Sequence, residues 1–174
     1  MSKAIILIGF MGAGKTTVGR ELAKKLGVSL TDTDWAIEKE AGISINEIFA
    51  TKGEEEFRKL ETELLERLRL ENYNGVIATG GGMPLREQNR KLLKKIGRVY
   101  YLKTDEEKIF ARISENKDRP LINTENPRER VHKLFVDRAD IYEEAGDVII
   151  DGGENPKAVA EAILADYKKW EKQK

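Results

Sequence analysis

The amino-acid sequence predicts an α/β fold of three layers, a central parallel sheet of five strands with helices on both faces. Short β-branched runs alternate with longer amphipathic stretches along the 174-residue chain, the pattern that gives parallel pairing with helical crossovers. The runs IILI, VIAT, VYYL and VII carry no polar alternation, as strands do when both faces of their sheet are covered. The length suits a single domain, residues 1–174, and no linker, internal repeat or low-complexity segment divides it.

The first strand is read over Lys3 to Ile8 and leads through a glycine-rich loop into a helix over Lys15 to Leu26. A second strand over Val28 to Thr31 precedes helices spanning about 33–71. The third strand, Val76 to Thr79, runs into three glycines, and a helix over Glu87 to Ile96 and a strand over Arg98 to Leu102 follow. Helices then continue to Glu144, a fifth strand covers Val148 to Asp151, and one more helix closes the chain. Helix starts are marked: Ser44 with Glu47 and Thr104 with Glu107 fit the reciprocal capping box, while Asn126-Pro127 and Asn155-Pro156 set an amide cap before a proline at the first helical position. The stretch ENKDRPLINTE, Glu115 to Glu125, is polar, broken by proline and rich in turn formers, so a mobile lid over about 115–126 is expected.

Lys plus Arg and Asp plus Glu each number 31, a balance that argues against broad electrostatic binding to nucleic acid or an acidic membrane. Any anion held by this chain must be met by placed positive groups. The absence of cysteine excludes disulfide frameworks, thiolate metal sites and cysteine nucleophiles, and allows a reducing compartment. The apolar run Ala4 to Phe10 is shorter than a signal-peptide core with its cleavage site. A cytoplasmic monomer with small-molecule partners, and with neither nucleic acid nor membrane among them, is the expectation. Charged residues make up 36%, rich in Lys and Glu, a composition that resembles the ion-pair enrichment of heat-adapted proteins.

Three constellations carry chemistry. Gly9-Phe10-Met11-Gly12-Ala13-Gly14-Lys15-Thr16 matches G-x-x-x-x-G-K-[ST] between a strand and a helix, the context in which such a loop cradles phosphates with its backbone N–H groups and a helix N-terminus. Gly12, Ala13, Gly14, Lys15, Thr16 and Thr17 form the nucleotide-binding stretch, with Lys15 toward the outer phosphates and Thr16 toward Mg²⁺. Asp32-Thr33-Asp34 follows the second strand, where side chains face the crevice of an α/β sheet. One carboxylate can hold the metal or its waters while the other takes a proton from a hydroxyl; a plainer reading has one of them capping the next helix.

The third constellation is Gly80-Gly81-Gly82 at the end of the third strand. That strand is expected beside the first, so the glycines border the same crevice, where side chains would block a small polar substrate and bare N–H groups could meet its oxygens. A tight turn or close helix packing explains one glycine more readily than three. Arg58 and Arg138 lie on amphipathic helices and, taken alone, read as solvated or ion-paired surface charge. Arg119, within the expected lid, is placed to swing onto a transferring phosphate.

GFMGAGKT, the DTD after the second strand, GEEEFRKLE from Gly53, TGGG from Thr79, RPL from Arg119 and DRADIYEEA from Asp137 together resemble the shikimate kinase family, P-loop small-molecule kinases with a nucleoside monophosphate kinase-like fold. The motifs occur in that family's order and spacing and span nearly the whole chain. The resemblance implies ATP-dependent phosphorylation of the shikimate 3-hydroxyl, with one Mg²⁺ ion, on the route to chorismate and aromatic amino acids. It implies that Asp34 contacts substrate hydroxyls and assists proton removal, that Arg58 and Arg138 clamp the carboxylate, and that Gly80, Gly81 and Gly82 line the pocket. It further implies that Ile45, Phe49, Phe57, Pro120 and Leu121 pack around the ring. On the nucleotide side Lys15 and Arg119 neutralise phosphate charge, Thr16 and Asp32 serve Mg²⁺, and Arg112 lies against adenine. Lys15, Asp34 and Arg119 are thus the implied catalytic set.

Departures from the family pattern are small. Thr16 stands where many members carry serine, no Walker-B aspartate ends the third strand, and Gly152-Gly153-Glu154-Asn155 offers no decisive residue for base selection. Asn116-Lys117-Asp118-Arg119 resembles the guanine-reading N-K-x-D of switch GTPases, but Arg occupies the fourth place. Kinases of gluconate or nucleoside monophosphates would share the loop and lid without needing the glycine triplet and paired arginines. His132 is expected on an exposed helical face, away from the chemistry.

Overall fold

A computed structural model of the protein describes residues 3–116, 123–153 and 155–174. Five parallel strands, β1 (Ala4–Ile8), β2 (Leu30–Asp32), β3 (Val76–Ala78), β4 (Gly97–Lys103) and β5 (Val148–Asp151), form one sheet in the order β2-β3-β1-β4-β5. The helices are α1 (Lys15–Leu26), α2 (Thr33–Ala41), α3 (Ile45–Lys52), α4 (Glu54–Leu70), α5 (Glu87–Ile96), α6 (Glu106–Ser114), α7 (Pro127–Ala145) and α8 (Pro156–Lys172), with a 3₁₀ turn over Met83–Leu85 after the glycines. No helix among the described residues is long and apolar enough to cross a membrane.

Alternation along β1 builds the three layers. Ala4, Ile6 and Ile8 join a core with Leu64, Leu65, Leu93 and Tyr142 from α4, α5 and α7. Ile5 and Leu7 point the other way, onto Val18, Leu22, Ala160 and Ile163 of α1 and α8. Successive side chains of a strand leave opposite faces, so a strand buried on both sides reads as an unbroken apolar run. The edge strand β5 departs from that expectation: Ile149 is half exposed, because the chain places helices over the sheet's centre more fully than over this margin.

Two of the expected caps hold and two do not. The Ser44 hydroxyl accepts from Glu47 N at 3.1 Å, and Asn155 Oδ1 accepts from Lys157 N at 3.0 Å. At α6 the cap is Asp105, whose carboxylate accepts from Glu107 N at 2.9 Å; Thr104 is buried and donates toward the Ala13 carbonyl instead. A carboxylate one residue closer to the helix outcompetes the hydroxyl as acceptor, which frees Thr104 to brace the loop before α1. Asn126 precedes Pro127 but makes no side-chain cap.

The strand order fixes where a site can form. The chain leaves β1 for β2 on one flank and returns for β4 on the other, so the carboxyl end of β1 borders the crevice at which α/β sheets bind ligands. The loop 9–14 leaves that end, and β2 and β3 deliver Asp32 and the glycines beside it.

Candidate active site

The loop after β1 owes its shape to glycine. Gly14, at the N-cap of α1, has φ 92° and ψ 18°, a left-handed conformation that costs glycine nothing and lets the backbone turn its N–H groups inward. Lys15 is buried, and its Nζ donates to the Gly9 and Phe10 carbonyls at 2.6 and 2.8 Å, so the ammonium is held on the loop itself. Thr16 and Thr17 occupy the first turn of α1.

Asp32 serves two partners at once. Its Oδ1 accepts from the backbone N of Asp34 and Trp35 at 3.1 and 3.2 Å, capping α2, while Oδ2 accepts from the Thr16 hydroxyl at 2.6 Å. The plainer reading of the pair, a cap, therefore holds for one oxygen and leaves the other on the nucleotide loop. Asp34, freed from capping, turns toward the glycines, where a Cβ on Gly80 would lie 2.5 Å from its Oδ1. That oxygen is buried without a hydrogen-bond partner among the described residues. Burial first, then the neighbouring Asp32 charge, raises the Asp34 carboxyl to about 6 against the opposing pull of Lys15 and Arg58.

The three glycines are bare because something lies against each of them. None has a positive φ, so close approach and not backbone freedom accounts for the triplet. Gly80 faces Asp34; a side chain on Gly82 would strike both terminal nitrogens of Arg58; Gly81 faces Met11 N of the loop, the Tyr142 hydroxyl and Arg138. The corner is tied to β1 through Thr79, whose N and Oγ1 both donate to the Leu7 carbonyl at 3.1 and 3.0 Å. One expectation is corrected here: the Gly80 N–H already donates to Thr33 Oγ1 at 2.9 Å and is not a free donor for a ligand.

Arg58, which its sequence context reads as surface charge, is 9% exposed. Its Nη1 donates to Glu61 Oε1 at 2.6 Å and its Nη2 reaches Glu54 at 3.4 Å. Glu61 is wholly buried, and its Oε2 has no hydrogen-bond partner among the described residues. Burial pushes this carboxyl up to about 7, with Arg58 pulling it down by charge and hydrogen bond. Nearby, Phe49 and Phe57 pack with ring centroids 5.1 Å apart, Phe57 buried and Phe49 open to solvent, and Ile45 is partly buried against the core.

Arg138 lies over the Phe10 ring, 5.8 Å from its centroid. The Tyr142 hydroxyl beside it donates to the Gly81 carbonyl at 2.6 Å. Arg112 donates to the Gly12 carbonyl at 2.9 Å and reaches the Gly153 carbonyl at 3.4 Å, bridging the loop and the segment after β5. A cleft of about 400 Å³ is lined by loop and α1 residues, Asp32, Asp34, Gly80, Gly81 and Arg112 together. A smaller one of about 250 Å³ continues past Arg112 between Ala13 and Gly152-Gly153. Arg119, Pro120 and Leu121, with most of the N-K-x-D-like stretch, lie outside the described residues. His132 is exposed and pairs with Glu106 at 2.8 Å, far in role from this cleft.

Sequence reasoning passed over Glu61, Thr33 and Tyr142. Glu61 had a signal, its position three residues after Arg58 on one helix face; Thr33 and Tyr142 meet the glycine corner only through the tertiary fold.

The arrangement offers a phosphate loop and a carboxyl raised to about 6 in one cleft, with a buried and a half-buried guanidinium against the glycine corner that borders it. The shikimate kinase family model matches residues 11–168. A shikimate kinase of Thermodesulfovibrio yellowstonii is 46% identical over 167 residues, covering 96% of each chain. Among solved structures, the shikimate kinase of Acinetobacter baumannii in complex with shikimate is 40% identical, covers 93% of this chain and 90% of its own, and superposes with a TM-score of 0.87. That of Aquifex aeolicus is 36% identical, with 95% and 96% covered and a TM-score of 0.82. With the motifs, the fold and near full-length identity in agreement, this chain belongs to the shikimate kinase family.

Proposed function

We propose that this protein transfers the γ-phosphoryl group of ATP to the 3-hydroxyl of shikimate, giving shikimate 3-phosphate and ADP. The hydroxyl oxygen forms the new bond to phosphorus as the bond to the β,γ-bridging oxygen breaks, and the hydroxyl proton passes to Asp34. The observation that carries this reading is the meeting of Asp34 with Gly80 in a cleft that the phosphate loop also lines. A carboxyl near 6 is ionised enough at neutral pH to accept a proton and basic enough to keep it.

Arg58 and Arg138 present forked donors suited to the carboxylate of the acid, one braced by Glu61 and the other laid over Phe10. Lys15 is assigned to the outer phosphates, and Arg112 to the adenine, where it borders both clefts. The assignment of Arg119 to the transferring phosphate rests on its sequence motif. The Thr16 hydroxyl and Asp32 carboxylate, 2.6 Å apart, are hard oxygen donors that fit Mg²⁺. Among the described residues no group of three His, Cys, Asp or Glu could hold an ion alone, so these two would hold one that arrives with nucleotide. When bound, Mg²⁺ supplies neutralisation of phosphate charge.

The test is a phosphate-transfer assay with Mg·ATP against shikimate, gluconate and nucleoside monophosphates. Turnover of shikimate alone is the expected result; equal or greater turnover of gluconate or a nucleotide would replace this assignment with another kinase of the same architecture.

A further inference from the structure

Tyr142 takes part in no step above, yet its hydroxyl sits where α7, the glycine corner and the phosphate loop meet. It donates to the Gly81 carbonyl at 2.6 Å, and Arg138, one turn earlier on α7, brings its guanidinium against the same glycine. Residues four apart share a helix face, so both side chains leave α7 together. The ring is 1% exposed and tilts against Tyr101 with centroids 5.3 Å apart, which fixes the direction of the hydroxyl. Arg138 rests over Phe10 on its other side, and its Nη1 would lie 3.7 Å from a Cβ on Gly81. The phenol thus ties down the backbone of the corner that the arginine overlooks, with the guanidinium against the same glycine.

We propose that Tyr142 is a positioning residue for recognition of the acid: acting through Arg138 and the Gly81 peptide, its hydroxyl sets the angle at which the guanidinium meets the substrate carboxylate. A guanidinium binds a carboxylate strongly only when the two planes align for paired hydrogen bonds. A long arginine side chain without a brace surrenders rotamer freedom on each binding event. This inference rests on the assignment of Arg138 to the acid.

Tyr142→Phe keeps the ring and its packing and deletes the hydroxyl alone. The KM for shikimate should rise about five- to twentyfold, as for loss of one charge-assisted contact, with the KM for ATP little changed. Calorimetric binding of shikimate without nucleotide should show the same loss, and a thermal melt alongside reports that the variant is folded. In an Arg138→Ala background most of the effect of Tyr142→Phe should vanish, the remainder being what the hydroxyl exerts through the Gly81 peptide. Equal changes in both KM values, or full additivity with Arg138→Ala, would reduce Tyr142 to a structural brace. Shikimate turnover by the unaltered protein with no KM change in Tyr142→Phe sinks this inference alone; no shikimate turnover at all removes the assignment of the site and this inference with it.

Discussion

At Asp34, burial and the Asp32 charge together outweigh the Lys15 ammonium, and the carboxyl is held near 6 in a position where Gly80 leaves it room. Asp34→Asn keeps the shape and removes the carboxylate to which we assign the hydroxyl proton. The expected outcome is a fall in kcat of about 10² to 10⁴, with ATP affinity nearly intact because no loop contact is lost. Comparable loss of nucleotide binding, measured by titration, would contradict the role. Asp34 was legible in the sequence because DTD follows a strand end at the crevice, although it reaches the cleft from the first turn of α2 and not from the strand. Arg58 was not, since the same residue on the same amphipathic helix reads as surface charge until Gly82 and Glu61 are seen to enclose it. Burial of a charge is decided by what packs on it from elsewhere in the chain.

The glycine corner behaves as one element in which each position answers to a different partner. An alanine at Gly80 would drive its Cβ into Asp34, a short side chain with little room to retreat; one at Gly82 would push the end of Arg58. Gly80→Ala should therefore act chiefly on kcat, by about a hundredfold for a displacement near 1 Å. Gly82→Ala should act chiefly on the KM for the acid, and Gly81→Ala, with its nearest atom at 3.3 Å, should be the mildest of the three. Steady-state kinetics of the three variants would expose the idea as wrong if Gly81→Ala proved the most damaging. At this scale the sequence located every strand to within a few residues, and the helices α1 and α5 at both ends, because period and glycine signals are local. It misjudged the cap of α6 and the cover over β5, because competition between adjacent acceptors and exposure at a sheet edge depend on the assembled layers.

For the whole molecule, a site at the carboxyl end of β1 means that Asp32, Asp34 and Glu61 are gathered where the sheet, α2 and α4 converge. Glu61 shows what this costs. Its carboxyl stands at about 7 in the folded chain against 4.5 as an ordinary glutamate, chiefly through burial that Arg58 offsets only in part. A raised folded value means that the native state holds the proton more tightly than the unfolded chain does. Its contribution to stability is complete below about 4.5 and is lost as pH rises through about 7. Glu61→Gln removes the titration and retains an acceptor for Arg58. Urea unfolding of both proteins should show the variant gaining on the unaltered chain by on the order of 2 kcal/mol between about pH 5 and pH 8, the linkage slope being about 1.4 kcal/mol per unit at most. A stability difference independent of pH would mean that Arg58 already keeps Glu61 ionised throughout. The fold would then carry Arg58 on a fully charged pair, and Arg58→Ala, by stranding that charge, should destabilise the protein more at pH 8 than at pH 5.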